Sequence, residues 1–237
     1  MLILPAIDLY GGRAVRLYKG DYDQMTVYSD QPAQVAMDFA RAGARWVHIV
    51  DLEGARDGGM PNMASARRII RESGLMAEVG GGVRSMDAVH AWLDAGASRV
   101  ILGTAAVTDP DFLARAAAEC GEKLAVGVDL KDGNVAIKGW REDSGLDGMA
   151  FGRQLQDMGV GTVICTDISR DGAMRGANHD LYAALSRELS LRIVASGGVS
   201  GLDDILRLKS LGLYGAIVGK AYYTGGIDLA RSIEVAK

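Results

Sequence analysis

The amino-acid sequence repeats four short segments of its first half in its second half, at a nearly constant distance. The two segments of the first pair lie 121 residues apart, and those of the other three pairs lie 116 residues apart. The matched pairs are Asp8-Leu9 with Asp129-Leu130, His48-Ile49-Val50-Asp51 with Ile164-Cys165-Thr166-Asp167, Gly80-Gly81-Gly82-Val83 with Ser196-Gly197-Gly198-Val199, and Ile101-Leu102-Gly103-Thr104-Ala105 with Ile217-Val218-Gly219-Lys220-Ala221. Such self-similarity predicts a duplicated structural unit, with halves at about residues 1–120 and 121–237.

Eight short segments rich in valine, isoleucine and leucine alternate with longer amphipathic segments. The short segments predict strands over Leu2–Asp8, Trp46–Asp51, Met76–Gly80, Arg99–Leu102, Leu124–Asp129, Thr162–Thr166, Arg192–Ser196 and Gly215–Val218. The longer segments predict helices over Pro32–Ala42, Ala64–Ser73, Met86–Ala95, Asp109–Cys120, Met149–Met158, Leu181–Leu189, Leu202–Leu211 and Asp228–Ala236. Eight strand–helix units of roughly 30 residues each are typical of a (β/α)8 barrel.

This pattern predicts an α/β protein with a single domain over residues 1–237, a (β/α)8 TIM barrel with an internal half-barrel duplication. Near-continuous apolar strands fit a parallel sheet that is covered on both faces. An open, doubly wound sheet is the structural alternative, and it is disfavoured because eight complete repeats leave no obvious edge strand. The matched segments fall at strand ends, where such barrels carry their active sites, so function explains them better than core packing does.

Composition limits the classes of ligand. The net charge of −4 provides no overall positive field to attract nucleic acid or acidic membrane surfaces. Cys120 and Cys165, with three scattered histidines, indicate neither a disulfide framework nor a metal site or cofactor. His48, at a strand end, is expected to be packed and hydrogen-bonded. The apolar N-terminus ends at Asp8, too soon for a signal peptide or membrane span, and we expect a cytoplasmic monomer.

Glycine-rich turns follow two pairs of neighbouring predicted strands. Without Cβ atoms, the backbone can turn sharply and present successive N–H groups to an anion at the N-terminus of the following helix. The predicted phosphate-binding residues are Gly82, Gly103 and Thr104 in the first cradle, and Gly198, Gly219 and Lys220 in the second. Glycine at such turns can also serve packing. Two symmetric copies favour a ligand with two phosphates, one held at each side of the barrel mouth.

Two aspartates, Asp8 and Asp129, end the first and fifth predicted strands, on opposite sides of the barrel. Facing the helices would carry a large desolvation cost for either carboxylate. Each could simply accept hydrogen bonds from its own loop. Their placement between two anion sites instead predicts an acid and a base that flank a substrate, which requires one carboxyl group protonated and the other ionised. The residues alone leave open which is which.

Further candidates lie near these aspartates, each with a structural alternative. Thr166 ends the sixth predicted strand and can donate to the substrate or orient Asp129. Asp171 is a site residue or a simple turn residue. Trp140 is either a hydrophobic plug or a stacking platform for a ligand ring. Arg16 is a contact for a substrate phosphate or carboxamide, or a solvated loop arginine.

Taken together, these motifs resemble those of a known family, the phosphoribosylformimino-aminoimidazole-carboxamide ribotide isomerases of histidine biosynthesis. The resemblance spans essentially the whole chain. It is carried by Pro5-Ala6-Ile7-Asp8-Leu9, His48-Ile49-Val50-Asp51-Leu52, Gly80-Gly81-Gly82-Val83-Arg84, Gly127-Val128-Asp129, Thr166-Asp167-Ile168-Ser169-Arg170-Asp171-Gly172, Ala195-Ser196-Gly197-Gly198-Val199 and Val218-Gly219-Lys220-Ala221.

The resemblance implies an Amadori rearrangement of a bisphosphorylated aminoaldose to an aminoketose, without a cofactor. It implies that Asp129 is the general acid that opens the furanose ring, that Asp8 is the general base that takes the C2 proton, and that Thr166 supports them. Three alternatives remain: the related cyclase, a bifunctional isomerase that also acts on phosphoribosylanthranilate, and a non-catalytic phosphosugar-binding barrel. The cyclase usually has Cys in its first motif, bifunctional enzymes commonly have Ser where Gly80 stands, and a non-catalytic barrel is expected to lose one aspartate.

Overall fold

The computed structural model describes residues Met1–Lys237 and contains one sheet of twelve strands. The strands are β1 (Leu2–Tyr10), β2 (Arg13–Tyr18), β3 (Asp21–Ser29), β4 (Trp46–Asp51), β5 (Met76–Gly80), β6 (Arg99–Leu102), β7 (Leu124–Lys131), β8 (Asn134–Ile137), β9 (Glu142–Asp147), β10 (Thr162–Asp167), β11 (Arg192–Ser196) and β12 (Gly215–Val218). Eight of them form a closed parallel ring in the order β1, β4, β5, β6, β7, β10, β11, β12, with β12 pairing back to β1. The predicted (β/α)8 barrel is confirmed.

Helices surround this ring. They are α1 (Pro32–Arg41), α2 (Leu52–Asp57), α3 (Met63–Ser73), α4 (Met86–Asp94), α5 (Thr104–Thr108), α6 (Pro110–Cys120), α7 (Gly148–Asp157), α8 (His179–Glu188), α9 (Leu202–Ser210), α10 (Lys220–Tyr223) and α11 (Leu229–Ala236), with a 3-10 turn at Gly121–Lys123. Eight of them match the predicted helices, while the short α2, α5 and α10 follow barrel strands directly and were not predicted. None of the helices combines the length and the apolar character needed to cross a membrane.

Two antiparallel hairpins extend the barrel at its carboxyl face. β2 pairs with β1 and β3, and β8 pairs with β7 and β9. Because β1 and β7 continue into these hairpins, each is two residues longer than its predicted strand. The hairpins themselves escaped prediction because their outer strands, β3 and β9, contain no buried residue.

The hydrophobic core has two main parts, and a third, small cluster joins Val15 and Leu17 of β2 to Leu52. The larger cluster packs the helices against the outside of the ring. A separate cluster of only seven buried residues fills the inside, namely Leu4, Ala6, Ile101, Ala125, Ile164, Val194 and Ile217. Most of the apolar burial that stabilises the fold therefore lies outside the ring, and the interior leaves room for polar side chains near the mouth.

The two halves support their glycine turns with matching hydrogen bonds. Asn62 Nδ2 donates to Asp51 Oδ1 at 2.8 Å, and Asn178 Nδ2 donates to Asp167 Oδ2 at 2.6 Å. A Cβ on Gly81 would overlap the backbone of Asp51, and one on Gly197 would overlap that of Asp167. These pairs lie 116 residues apart, like the matched sequence segments. The duplication itself stays a prediction, which this correspondence supports.

Candidate active site

The predicted site residues gather at the carboxyl ends of the barrel strands, around two adjoining cavities. The larger cavity, of about 250 Å³, is lined by Asp8, Arg16, Gly82, Gly103, Thr104, Asp129, Trp140, Thr166 and Asp171. The smaller cavity, of about 20 Å³, is lined by Gly198, Gly219 and Lys220 and shares Arg16 and Asp171 with the larger one. Every residue put forward from the sequence therefore lies at one of these cavities or at both.

Asp8 forms an ion pair with Arg16. The register of the first hairpin sets Asp8 of β1 opposite Val15 of β2, next to Arg16. Asp8 Oδ2 lies 2.9 Å from Arg16 Nη1, and the two side chains are 13% and 12% exposed. Burial alone would lower the pKa of Arg16, but the charges of Asp8 and Asp171 raise it above its ordinary value, so Arg16 stays cationic. The alternative of a solvated loop arginine is wrong.

Asp129 has a different environment. It lies on β7, and Thr166 is its register partner on β10. Burial raises the pKa of Asp129 above the usual value, and hydrogen bonding from Trp140 and Thr166, with the charge of His48, offsets only part of that rise. The two aspartates are therefore held differently, one beside a guanidinium group and one in a buried setting that favours the protonated acid.

Asp171 belongs to the site as well as to a turn. Its backbone N–H donates to the carbonyl oxygen of Asp167 at 3.1 Å, in the turn that follows β10. Its side chain lies at both cavities. Burial raises the pKa of Asp171, the charge of Arg16 lowers it, and the charges of Asp8 and Asp129 raise it further. The charges of the two predicted catalytic residues therefore act on a third carboxyl group, that of Asp171.

The first glycine cradle is open. Gly82 has a φ of +74°, and a Cβ there would overlap the backbone of Gly54, so packing also requires this glycine. Gly103 is exposed to the cavity, and a Cβ on it would meet no atom within 4 Å. Thr104 begins α5, and its Oγ1 accepts a hydrogen bond from Lys138 N at 2.8 Å.

The second cradle is covered by cationic side chains. A Cβ on Gly219 would overlap the guanidinium group of Arg16. Lys220 Nζ donates to the carbonyl oxygen of Gly172 at 2.9 Å and lies 5.2 Å from the ring centroid of Tyr18. An anion in this smaller cavity would meet two side-chain cations, whereas the first cradle offers mainly backbone.

The two hairpins meet over the mouth at Trp140. This residue is half-buried, lines the larger cavity and has a φ of +69°. Its Cε3 would lie 2.6 Å from a Cβ atom on Gly20, so the turn of the first hairpin needs glycine to admit the indole ring. Trp140 therefore contacts the opposite hairpin, while one side of its ring borders the cavity.

Among the cavity residues that sequence reasoning did not put forward are Arg84 and His48. Arg84, in the first glycine turn, lines the larger cavity and donates to the carbonyl oxygen of Ala55 at 3.4 Å. A cation inside a glycine-rich turn was the signal that could have found it. His48, expected to be packed and hydrogen-bonded, has its Nδ1 2.7 Å from Glu78 Oε1, which confirms that expectation, yet it also lines the cavity.

Comparisons with known proteins agree over the length of the chain. A sequence model of the family described as histidine biosynthesis protein matches residues 2–228. A protein of Ruegeria sp. named 1-(5-phosphoribosyl)-5-((5-phosphoribosylamino)methylideneamino)imidazole-4-carboxamide isomerase 2 is 48% identical over 239 residues, which cover 100% of both chains. Proteins with that isomerase name are 48% identical in Dinoroseobacter shibae, over 99% of each chain, and 47% identical in Lactococcus lactis, over 100% of this chain and 97% of that one.

Proposed function

The chain belongs to the histidine biosynthesis protein family, and we propose that it performs the isomerisation for which its relatives are named. The reaction is an Amadori rearrangement, in which a bisphosphorylated aminoaldose becomes an aminoketose and an intramolecular hydrogen shift needs no external redox partner. The observation that carries the proposal is the pair of unlike carboxyl groups, Asp8 and Asp129, at a cavity between two glycine cradles. The relatives named above support neither the cyclase nor a non-catalytic barrel.

Asp129 is the general acid of the proposed mechanism. Burial raises the pKa of its carboxyl group, which favours the protonated form that a general acid needs. That proton passes to the ring oxygen of the ribose as the furanose opens and a Schiff base forms. Thr166, its register partner on β10, orients the carboxyl group.

Asp8 is the general base. Its partner Arg16, 2.9 Å away, is compatible with an ionised carboxylate, the form that can accept a proton. Asp8 takes the C2 proton of the Schiff base, the electron pair moves toward C1, and an enolamine forms. Tautomerisation of the enolamine then gives the aminoketose, so that one proton is lost at C2 and one is gained at C1.

The two cradles hold the two phosphates of the substrate. The first, with Gly82, Gly103 and Thr104, offers backbone N–H groups beside Arg84. The second, with Gly198, Gly219 and Lys220, adds the charges of Lys220 and Arg16. Between them, Trp140 stacks on the flat aminoimidazole ring, and Asp171 binds the polar part of the substrate near Arg16.

We further propose that the protein acts as a cytoplasmic monomer, without cofactor, nucleic acid or membrane partner, and as one domain made of two duplicated halves. An assay with the bisphosphorylated aminoaldose tests the central proposal. Formation of the aminoketose by the purified wild-type chain, and its loss in Asp8→Asn and Asp129→Asn, is the expected result. Absence of turnover by folded wild-type protein would refute the function. Phosphoribosylanthranilate in the same assay tests the bifunctional alternative.

A further inference from the structure

Arg16 carries more hydrogen-bond donors than the protein satisfies. A guanidinium group has several N–H donors and no acceptor, and buried donors are normally paired. The side chain of Arg16 is 12% exposed, and its one polar partner in the protein is Asp8, whose Oδ2 lies 2.9 Å from Nη1. Arg16 also lines both cavities of the site. Its remaining donors are therefore available to a ligand with acceptor oxygens.

The first hairpin places these donors at the second cradle. Side chains of a strand alternate between its two faces, and the residues on either side of Arg16 pack into a small buried cluster. Arg16 consequently points to the opposite face of β2, where its guanidinium group occupies the space beside Gly219. In the same region, Lys220 Nζ lies 5.2 Å from the ring centroid of Tyr18, the last residue of β2. A hairpin of the first half thus covers the cradle of the second half.

The two ends of the guanidinium group have different neighbours. Nη1 contacts Asp8, whereas Nη2 is the atom closest to the position that a Cβ on Gly219 would take, with Cζ 2.7 Å and Nη1 3.2 Å from that position. The group is planar and rigid, and it can bind two partners at a fixed geometry. A single side chain therefore connects the proposed general base with an anion held in the second cradle.

The other half of the barrel lacks such a connection. The two hairpins pair in the same register, so Arg16 of β2 and Ile137 of β8 take equivalent positions beside Asp8 and Asp129. An isoleucine side chain has no donor to offer to a carboxylate or to an anion. The connection is therefore confined to the aspartate that takes the proton.

We propose that Arg16 couples the phosphate of the second cradle to the general base, because it holds Asp8 through Nη1 and that phosphate through Nη2. The inference rests on the proposed function and deepens it. A phosphate that accepts from Nη2 fixes the guanidinium group, and the fixed group holds the carboxylate of Asp8 in its reactive position. Binding energy from a part of the substrate that does not react is in this way used to orient a group that does.

The test uses two analogues of the substrate, each lacking one phosphate, with inorganic phosphate added separately. When remote binding energy serves orientation, such truncation lowers kcat as well as affinity. We expect saturating phosphate to raise the kcat of wild type about 10- to 100-fold on the analogue that leaves the second cradle empty. Arg16→Lys keeps the charge but lacks the fork, so it should lose this activation and keep the response of the other analogue.

Two further variants separate coupling from phosphate binding and from folding. Lys220→Met removes a cation of the second cradle that does not contact Asp8. It should raise the phosphate concentration needed for half-maximal activation, which identifies the analogue in question, and leave the activation at saturation unchanged. Arg13→Met is the matched control, because it removes another arginine of β2 that lines neither cavity. It should respond to phosphate as wild type does.

A second readout needs no turnover. Wild-type crystals soaked in sulfate should show an anion oxygen within hydrogen-bond distance of Arg16 Nη2 while Nη1 still contacts Asp8. Loss of the Asp8 contact on anion binding would overturn the inference, as would equal activation of wild type and Arg16→Lys, or no activation of wild type. If Arg16→Lys fails to fold, the crystal decides the matter. Wild-type protein that leaves the intact bisphosphorylated substrate unchanged would instead refute the proposed function, and the crystal keeps the two outcomes apart.

Discussion

Truncating Trp140 to alanine separates the two roles that its indole ring can have. Trp140 is half-buried, lies next to the exposed residues Gly139 and Arg141, and packs against Gly20. Truncating a fully buried aromatic residue costs about 3–5 kcal/mol, and this ring is already partly exposed. We expect the free energy of unfolding to fall by about 1 kcal/mol, which lowers the melting temperature of a chain of this size by about 2–4 °C.

Catalysis should suffer more than stability. Stacking of a base on an aromatic side chain contributes about 1–3 kcal/mol, so Trp140→Ala should lower kcat/KM about 5- to 150-fold. Trp140→Phe is the control, because it keeps an aromatic face but loses the N–H that approaches Asp129. It should retain most of the substrate affinity of the wild type, with an alkaline limb moved to higher pH.

Melting curves and steady-state kinetics on the same purified variants decide between the roles. A hydrophobic plug predicts the opposite result, a loss of about 3–5 kcal/mol and hence of roughly 6–20 °C in melting temperature. A drop of that size, together with near-normal turnover of the folded fraction of Trp140→Ala, would refute the stacking role.

Three further perturbations test the rest of the site. Asp8→Asn and Asp129→Asn should each lower kcat about 10²- to 10⁴-fold with little change in KM, as measured by steady-state kinetics, and near wild-type turnover of either would contradict its assignment. Crystals soaked in sulfate should show two anions, one near Gly82 and Gly103 and one near Gly198 and Gly219, whereas a single site would argue against two cradles. Gly103→Ala should raise KM and lower the melting temperature less than Gly82→Ala, since only the latter overlaps backbone; equal losses of stability would contradict this.

The sequence contained enough to predict the barrel, because its eight strands are short apolar runs with a regular spacing. It also placed Asp8, Asp129 and the two glycine turns at one face, since parallel strands share their carboxyl edge. The hairpins were missed because their outer strands, β3 and β9, contain no buried residue, and strand prediction depends on a buried face. The hairpin register, which fixes where Arg16 lies, was missed with them.

The pairing of side chains inside the barrel also could not be predicted by considering one strand at a time. Glu78 and Arg99 stand in segments that read as buried strands, and a charge in such a segment must find a partner. That rule signals a pair, but it does not say which two charges meet. The pairing of Glu78 with Arg99 follows only from the order of strands in the ring, in which β4, β5 and β6 lie side by side.

The contact between Trp140 and Gly20 also bears on the speed of the enzyme. It joins two hairpins that are attached to opposite halves of the ring, so the mouth of the barrel is covered by two separately attached hairpins. In the turn of the second hairpin, the backbone N–H of Lys138 donates to Thr104 Oγ1 at the rim of the barrel, at 2.8 Å. Substitutions in these hairpins can therefore alter the rates of ligand binding and release without destabilising the eight-stranded ring. The rate of product release can in this way change while the stability of the barrel is kept.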